Sequence, residues 1–220
     1  MSIETVNSVN TRQLKDMFLY VGDQVVACKP LLTKIDSAIG DGDHGIGMSV
    51  GFTKADENLK ANEFTSINDV FKTIGMSMIS SMGGASGIIF GTMFVGGIKG
   101  LETKVSLDLP LLAGIFNKAL EAIKQRGKAD LGDKTMIDAL QPAVEALEKS
   151  AAANESLVEG LRKAEIAALQ GVENTKQYIA NFGRAKSLGE RAIGHQDAGA
   201  TTVLIIFKSM KEWLEGQENG

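Results

Sequence analysis

Between residues 10 and 27 the apolar side chains of Leu14, Phe18, Val21 and Val25 return at steps of four, three and four. That spacing lays a single apolar stripe along an α-helix, and a stripe of this kind must be buried against others. The same period recurs at about residues 45–60, 66–82, 85–99, 109–126, 134–153, 156–178 and 198–214, with clusters of Gly, Asp and Asn between the segments. About eight amphipathic helices are therefore predicted, and the fold class is all-α. Ser66 with Asp69, and Asn154 with Leu157, stand where N-caps or helix breaks belong. Pro142 falls inside a helical run, where it either kinks the helix or begins a new one. The run 201–207, TTVLIIF, suits a buried strand equally well by period alone. It has no comparable strand to pair with and is read as a buried helix.

With 220 residues, 44% of them hydrophobic and 23% charged, the chain has enough apolar material for one large core and too much for disorder. No repeat or linker divides it, so residues 1–220 are expected to form one domain. The 23 basic residues are offset by 27 acidic ones and form no block, which argues against a nucleic-acid partner. Cys28 is the only cysteine, so no disulfide or thiolate zinc cluster can form within the chain. Residues 1–20 carry Glu4, Arg12, Lys15 and Asp16 among apolar residues, the pattern of neither a signal peptide nor a membrane span. A cytoplasmic protein is expected, without a membrane partner.

The chemistry is concentrated in the glycine-rich breaks. Residues 36–48, DSAIGDGDHGIGM, set Asp36, Asp41 and Asp43 among four glycines. Like charges so close repel, and glycine raises the entropy lost on ordering, so the loop is unfavourable unless a cation binds it. Literally, GDGDHG matches the dinucleotide fingerprint, but aspartates at its variable positions would repel a bare pyrophosphate. An EF-hand reading fails because Gly45, Ile46 and Phe52 occupy its fifth, sixth and twelfth positions. A hard-cation site on three carboxylates survives. Oxygen ligands without imidazole or thiolate suit magnesium held jointly with substrate phosphates. The plainer alternative is an acidic turn whose aspartates cap the next helix.

Three further loops share this character. Residues 80–87, SSMGGASG, precede an apolar helix and could cradle a phosphate on backbone N–H groups, or simply let two helices pack closely. In residues 126–136, RGKADLGDKTM, a helix C-cap at Gly127 and an N-cap at Asp133 are the simplest reading. Residues 183–199 mix Arg184, Lys186, Arg191, His195 and Asp197 with four glycines. Both histidines, His44 and His195, thus lie in glycine-bracketed loops beside aspartates.

The motifs GDGDHG, SSMGGASG with FGT, RGKADLGDKTM and GRAKSLGERAIGHQDAGAT, in this order, resemble the nucleotide-binding L subunits of dihydroxyacetone kinases over nearly the whole chain. The resemblance implies a barrel of eight antiparallel helices with ADP or ATP and two magnesium ions in the loops at one end. It assigns Asp36, Asp41 and Asp43 as the catalytic magnesium ligands, and His44, Gly45, Ile46 and Gly47 to the phosphate side. Ala85 and Ser86 would touch phosphate, Gly127 and Met136 the adenine. Arg184, Asp197, Ala198 and Gly199 would close over the nucleotide. It implies phosphoryl transfer to dihydroxyacetone held on a K subunit, with a phosphohistidine protein of the phosphotransferase system recharging bound ADP in place. A homodimer is left open. Gly47 replaces an Asn frequent in the family and Ala198 a Pro, which removes one polar contact and some rigidity. The alternatives are a kinase using free ATP on dihydroxyacetone or another short ketose, a nucleotide-sensing module, and a fatty-acid kinase, whose pattern has Thr where this chain has His44.

Overall fold

The computed structural model describes residues 7–218; Glu4 lies outside them. In chain order the elements are β1 (Ser8–Asn10), α1 (Thr11–Ala27), α2 (Lys29–Ile39), α3 (His44–Ala61), α4 (Ile67–Ser81), α5 (Gly84–Val95), β2 (Ser106–Asp108), α6 (Leu109–Gly127), α7 (Ile137–Ala152), α8 (Leu157–Thr175), a 3₁₀ segment (Arg184–Ala192) and α9 (Ala198–Glu218). The all-α expectation holds. Each helix of the cycle α1, α3, α4, α5, α6, α7, α8, α9 packs on the next, and α9 returns to α1. Eight helices thus close a ring, while α2 lies outside the cycle against α3 and α9.

The ring is filled by the stripes read from the sequence. Leu14, Phe18, Val21 and Val25 of α1 are fully or almost fully buried. Phe18 meets Phe71 and Phe94 edge-on at ring-centroid distances of 5.3 and 5.7 Å, and Phe116 lies 5.1 Å from Phe207. Each such aromatic buries a large apolar area, and edge-to-face pairing adds about 0.5–1.5 kcal/mol. The run 201–207 is part of α9, as expected: Val203, Ile206 and Phe207 are buried there.

Several expectations are corrected. α2 is a ninth α-helix among the described residues, started by Pro30 in its first turn, where the missing N–H costs nothing. Residues 36–39, read as loop, form its last turn, so the irregular stretch shrinks to Gly40–Asp43. Two short strands also exist: β1 and β2 pair antiparallel, with Val9 opposite Leu107. Ser66 caps α4 through the Asp69 N–H, whereas after the break at Asn154 it is Ser156 that caps α8. α7 runs through Pro142 unbroken. Proline donates no hydrogen bond, which frees the Asp138 carbonyl. That carbonyl faces Gly171 of α8, where a Cβ would overlap it. Glycine there lets α7 and α8 approach closely.

Neighbours in an up-and-down ring alternate in direction, so every second connection falls at the same end. One end collects residues 62–66, 96–108 and 153–156 and is tied by the strand pair and by hydrogen bonds from Thr11 N to Val105 O and from Ile67 N to Lys104 O. The other collects residues 40–43, 82–83, 128–136 and 176–197, the four loops with the unusual sequences. Among the described residues no helix is long and apolar enough to cross a membrane.

Candidate functional site

Asp36 projects from the last turn of α2, and Asp41 and Asp43 from the four-residue connection to α3. Gly42 takes φ 78°, a left-handed conformation glycine adopts without penalty, and this turns the chain back toward α2. One carboxylate oxygen from each aspartate can be chosen so that all lie within 4.8 Å of one another. Asp36 also accepts a hydrogen bond from the His44 backbone N–H at 3.2 Å, so it serves as a cap as well. Asp43, at the N-cap position of α3, makes no side-chain cap bond. Capping of α3 therefore engages Asp36 but not Asp43.

The clustered carboxylates perturb one another. The Asp43 carboxyl is pushed up by partial burial, by its hydrogen bond with Asp41 and by the charges of Asp41 and Asp36. For Asp41, desolvation pushes up but is outweighed by the bond with Asp43 and by the Arg184 guanidinium, so its pKa is lowered. Arg184 Nε lies 2.8 Å from Asp41 Oδ2, an ion pair that brings the last loop onto the first. The donors are three carboxylates with no imidazole or thiolate, a set that fits magnesium.

His44 begins α3 with its ring turned inward, 5.8 Å from the Phe90 ring centroid, and Nε2 lies 2.9 Å from Thr202 Oγ1. The Thr202 hydroxyl donates to the Ala198 carbonyl at 3.0 Å, so Nε2–H is the donor in the histidine contact and Nδ1 carries the lone pair. Burial lowers the His44 pKa against the pull of Asp36, which favours the neutral ring. Gly45 packs tightly on α2, where a Cβ would overlap Thr33 Oγ1. Ile46 is exposed and Gly47 half-buried.

The N-terminus of α5 has no side-chain cap, and Gly83, Gly84, Ala85 and Ser86 are all exposed. Open space surrounds both glycines, leaving the first N–H groups of α5 accessible to an anion. Gly127 ends α6, but the left-handed cap residue is Lys128 with φ 61°, not Gly127 as expected. Asp133 is not the N-cap of α7 either. It accepts from Asp130 N and Asn181 Nδ2, while Asp138 Oδ1 and Oδ2 accept from Gly132 N and Thr135 N. Met136 is buried beneath Gly199, whose Cβ would lie 3.4 Å from the Met136 Cβ. Asp197 caps α9 by accepting from Ala200 N at 2.7 Å. Burial first, then the charge of Asp138, pushes its carboxyl up to about 7 against the Ala200 N–H and Lys134. Ala198 is buried in the first turn of α9.

The structure thus brings Asp36, Asp41, Asp43, His44 and Arg184 together and sets the α5 N-terminus, residues 127–136 and residues 197–199 in the loops of the same end. His195 is exposed and its ring meets none of these groups. Sequence reading missed Thr202, which holds His44 from a distant helix, and two buried groups, Lys134 and Asp138. Lys134 stood in a quoted motif, but a lysine among glycines and aspartates reads as solvated.

An all-α ring with a carboxylate cluster, an open helix N-terminus and four glycine-rich loops at one end defines a helical anion-and-cation-binding domain. Residues 38–212 match the family described as the DAK2 domain, and the chain belongs to that family. It is 38% identical over 203 residues to the PEP-dependent dihydroxyacetone kinase, ADP-binding subunit DhaL of Escherichia coli strain K12, covering 92% of this chain and 97% of that one. It is 40% identical over 189 residues to the PEP-dependent dihydroxyacetone kinase 1, ADP-binding subunit DhaL of Listeria innocua, covering 86% and 89%. Among solved structures it resembles the dihydroxyacetone kinase of C. freundii in complex with AMP-PNP and Mg2+, with a TM-score of 0.73 and 25% identity. That match covers 96% of this chain and 35% of the other, so the chain spans about a third of that crystallised kinase.

Proposed function

We propose that this chain is the nucleotide-binding subunit of a dihydroxyacetone kinase, a phosphotransferase acting in the cytoplasm, and that residues 1–220 form its single domain. The observation that carries this reading is the convergence of the Asp36, Asp41 and Asp43 oxygens within 4.8 Å, at the same end of the ring as the uncapped N-terminus of α5. Relatives that are 35–40% identical over most of the chain and named ADP-binding subunits support it.

Asp36, Asp41 and Asp43 would hold two magnesium ions together with ADP or ATP. When bound, these ions neutralise charge on the β- and γ-phosphates. The chain's own groups then do the positioning. Ala85 and Ser86 present α5 N–H groups to phosphate, where the helix dipole favours negative charge. His44, Gly45, Ile46 and Gly47 wall the phosphate side, with His44 kept neutral and oriented by Thr202. Gly127 and Met136 form the floor for the base. Arg184, with Asp197, Ala198 and Gly199, would close the cleft and offer its guanidinium to phosphate.

The partners in this reading are a K-type subunit that presents dihydroxyacetone and a phosphohistidine protein that recharges bound ADP. Identity leans toward this type: relatives named PEP- or PTS-dependent are 35–40% identical, whereas the D-erythrulose kinase of Mycolicibacterium smegmatis and the L-erythrulose kinase of Pectobacterium atrosepticum are 32% and 34% identical. With a K-type subunit, dihydroxyacetone and free ATP, the protein is expected to yield at most about one product per nucleotide site, turning over continuously only when a phosphohistidine donor is added. Sustained turnover on free ATP alone would replace this reading with the ATP-dependent kinase.

A further inference from the structure

Lys134 is a charged residue where none is expected. It is 2% exposed, and its backbone takes φ 59°, a conformation costly for a residue with a Cβ and retained only where surrounding contacts dictate it. Its ammonium donates to two backbone carbonyls, Thr175 O at the end of α8 and His195 O just before α9. The Thr175 carbonyl also accepts from Tyr178 N at 3.2 Å, so the ammonium joins a helix end that is already turned to a carbonyl of the loop before α9. The loop around Lys134 is wrapped by Asp138, which accepts from Gly132 N at 2.6 Å and Thr135 N at 2.7 Å. On the far side Asp197 N donates to Thr175 Oγ1 at 3.0 Å, so the carbonyl and hydroxyl of one threonine anchor both loops.

These contacts join residues 128–136, which end in Met136, to residues 194–199, which carry Asp197 and Gly199. Met136 and Gly199 are in direct packing distance, so any change in how the loops sit is felt at that contact. We propose that Lys134 is a positioning residue for the nucleotide: its buried ammonium, shared between the Thr175 and His195 carbonyls, sets the spacing between the wall that meets the base and the loop that closes over the phosphates. The inference rests on the nucleotide-binding reading above. A lysine suits this task because an ammonium offers three donors from a narrow stem, whereas a planar guanidinium needs more room.

The test is calorimetric binding of Mg–ADP and of Mg–pyrophosphate to the whole chain, stripped of nucleotide, at a temperature well below every unliganded melt. Pyrophosphate engages the aspartates and the α5 N-terminus but spans no base wall. Lys134→Met is expected to lose about tenfold or more in ADP affinity while pyrophosphate binding stays within about threefold. Lys134→Arg should recover part of the ADP affinity by restoring donors. A general loss of stability would not separate the two ligands among fully folded molecules. If Lys134→Met gives no cooperative melt, Lys134→Gln, which can still donate to one carbonyl, is expected to show the same split. ADP binding equal to the parent in a folded variant, or equal losses for ADP and pyrophosphate, overturns the proposal. Failure of the parent to bind ADP at all would instead overturn the nucleotide-binding reading.

Discussion

Asp56 is buried on α3 at 7% exposure, and its Oδ1 has no hydrogen-bond partner. It faces the Gly22 Cα of α1, where a Cβ would overlap the carboxylate. Burial raises its pKa from 3.8 to about 6, with Lys60 pulling it down and Asp23 pushing it up. The folded protein therefore holds this proton more tightly than the unfolded chain does. The stabilisation is complete below the unfolded value, is lost as pH rises toward about 6, and is absent above it. A difference of about two pH units corresponds to about 3 kcal/mol at ~1.4 kcal/mol each. Asn has nearly the same shape and no charge, but its amide must itself be buried, which offsets about 1–2 kcal/mol. Asp56→Asn is thus expected to be about 1–2 kcal/mol more stable than the parent at about pH 8, and to lose that advantage by about pH 4. Urea melts of both proteins across that range measure it. A stability difference that does not change with pH would refute the assignment of a buried, reluctantly ionised Asp56.

Two further substitutions probe the packing and the closing loop. Gly171→Ala would drive a Cβ into the Asp138 carbonyl, backbone that cannot swing aside, and is expected to cost about 1–3 kcal/mol or more in thermal or urea melts; an unchanged melt would mean that α7 and α8 are not so close. Arg184→Ala removes an ion pair whose arginine is 79% exposed, so the unliganded melt should barely move, while calorimetric affinity for Mg–ADP falls because a phosphate contact is lost.

The ring was legible because its helices each carry a stripe several turns long, and Leu14, Phe18, Val21 and Val25 are buried as their spacing demands. α2 escaped notice because it is short and its last turn holds Asp36, which drew the reading toward a loop. The strands β1 and β2 are three residues each, too few for a period of two to emerge, and only the fold brings Val9 to Leu107. At the site, Asp36, Asp41 and Asp43 were legible because charge repulsion between near neighbours in sequence is itself a signal. Thr202 and Lys134 were not. Thr202 reaches His44 from another helix, and Lys134 bonds to backbone carbonyls, which every residue possesses and no sequence pattern advertises.

If the aspartate cluster holds a magnesium-bound nucleotide, titration of ADP into nucleotide-free protein reads that out without any partner subunit. About one ADP is expected to bind per chain with magnesium present, with affinity abolished or reduced at least about a hundredfold by EDTA or by Asp41→Asn. The unliganded Asp41→Asn protein should still melt cooperatively, since Asp41 is exposed and caps no helix. Binding of ADP to Asp41→Asn as tight as to the parent, or binding indifferent to magnesium, would contradict that role for the cluster.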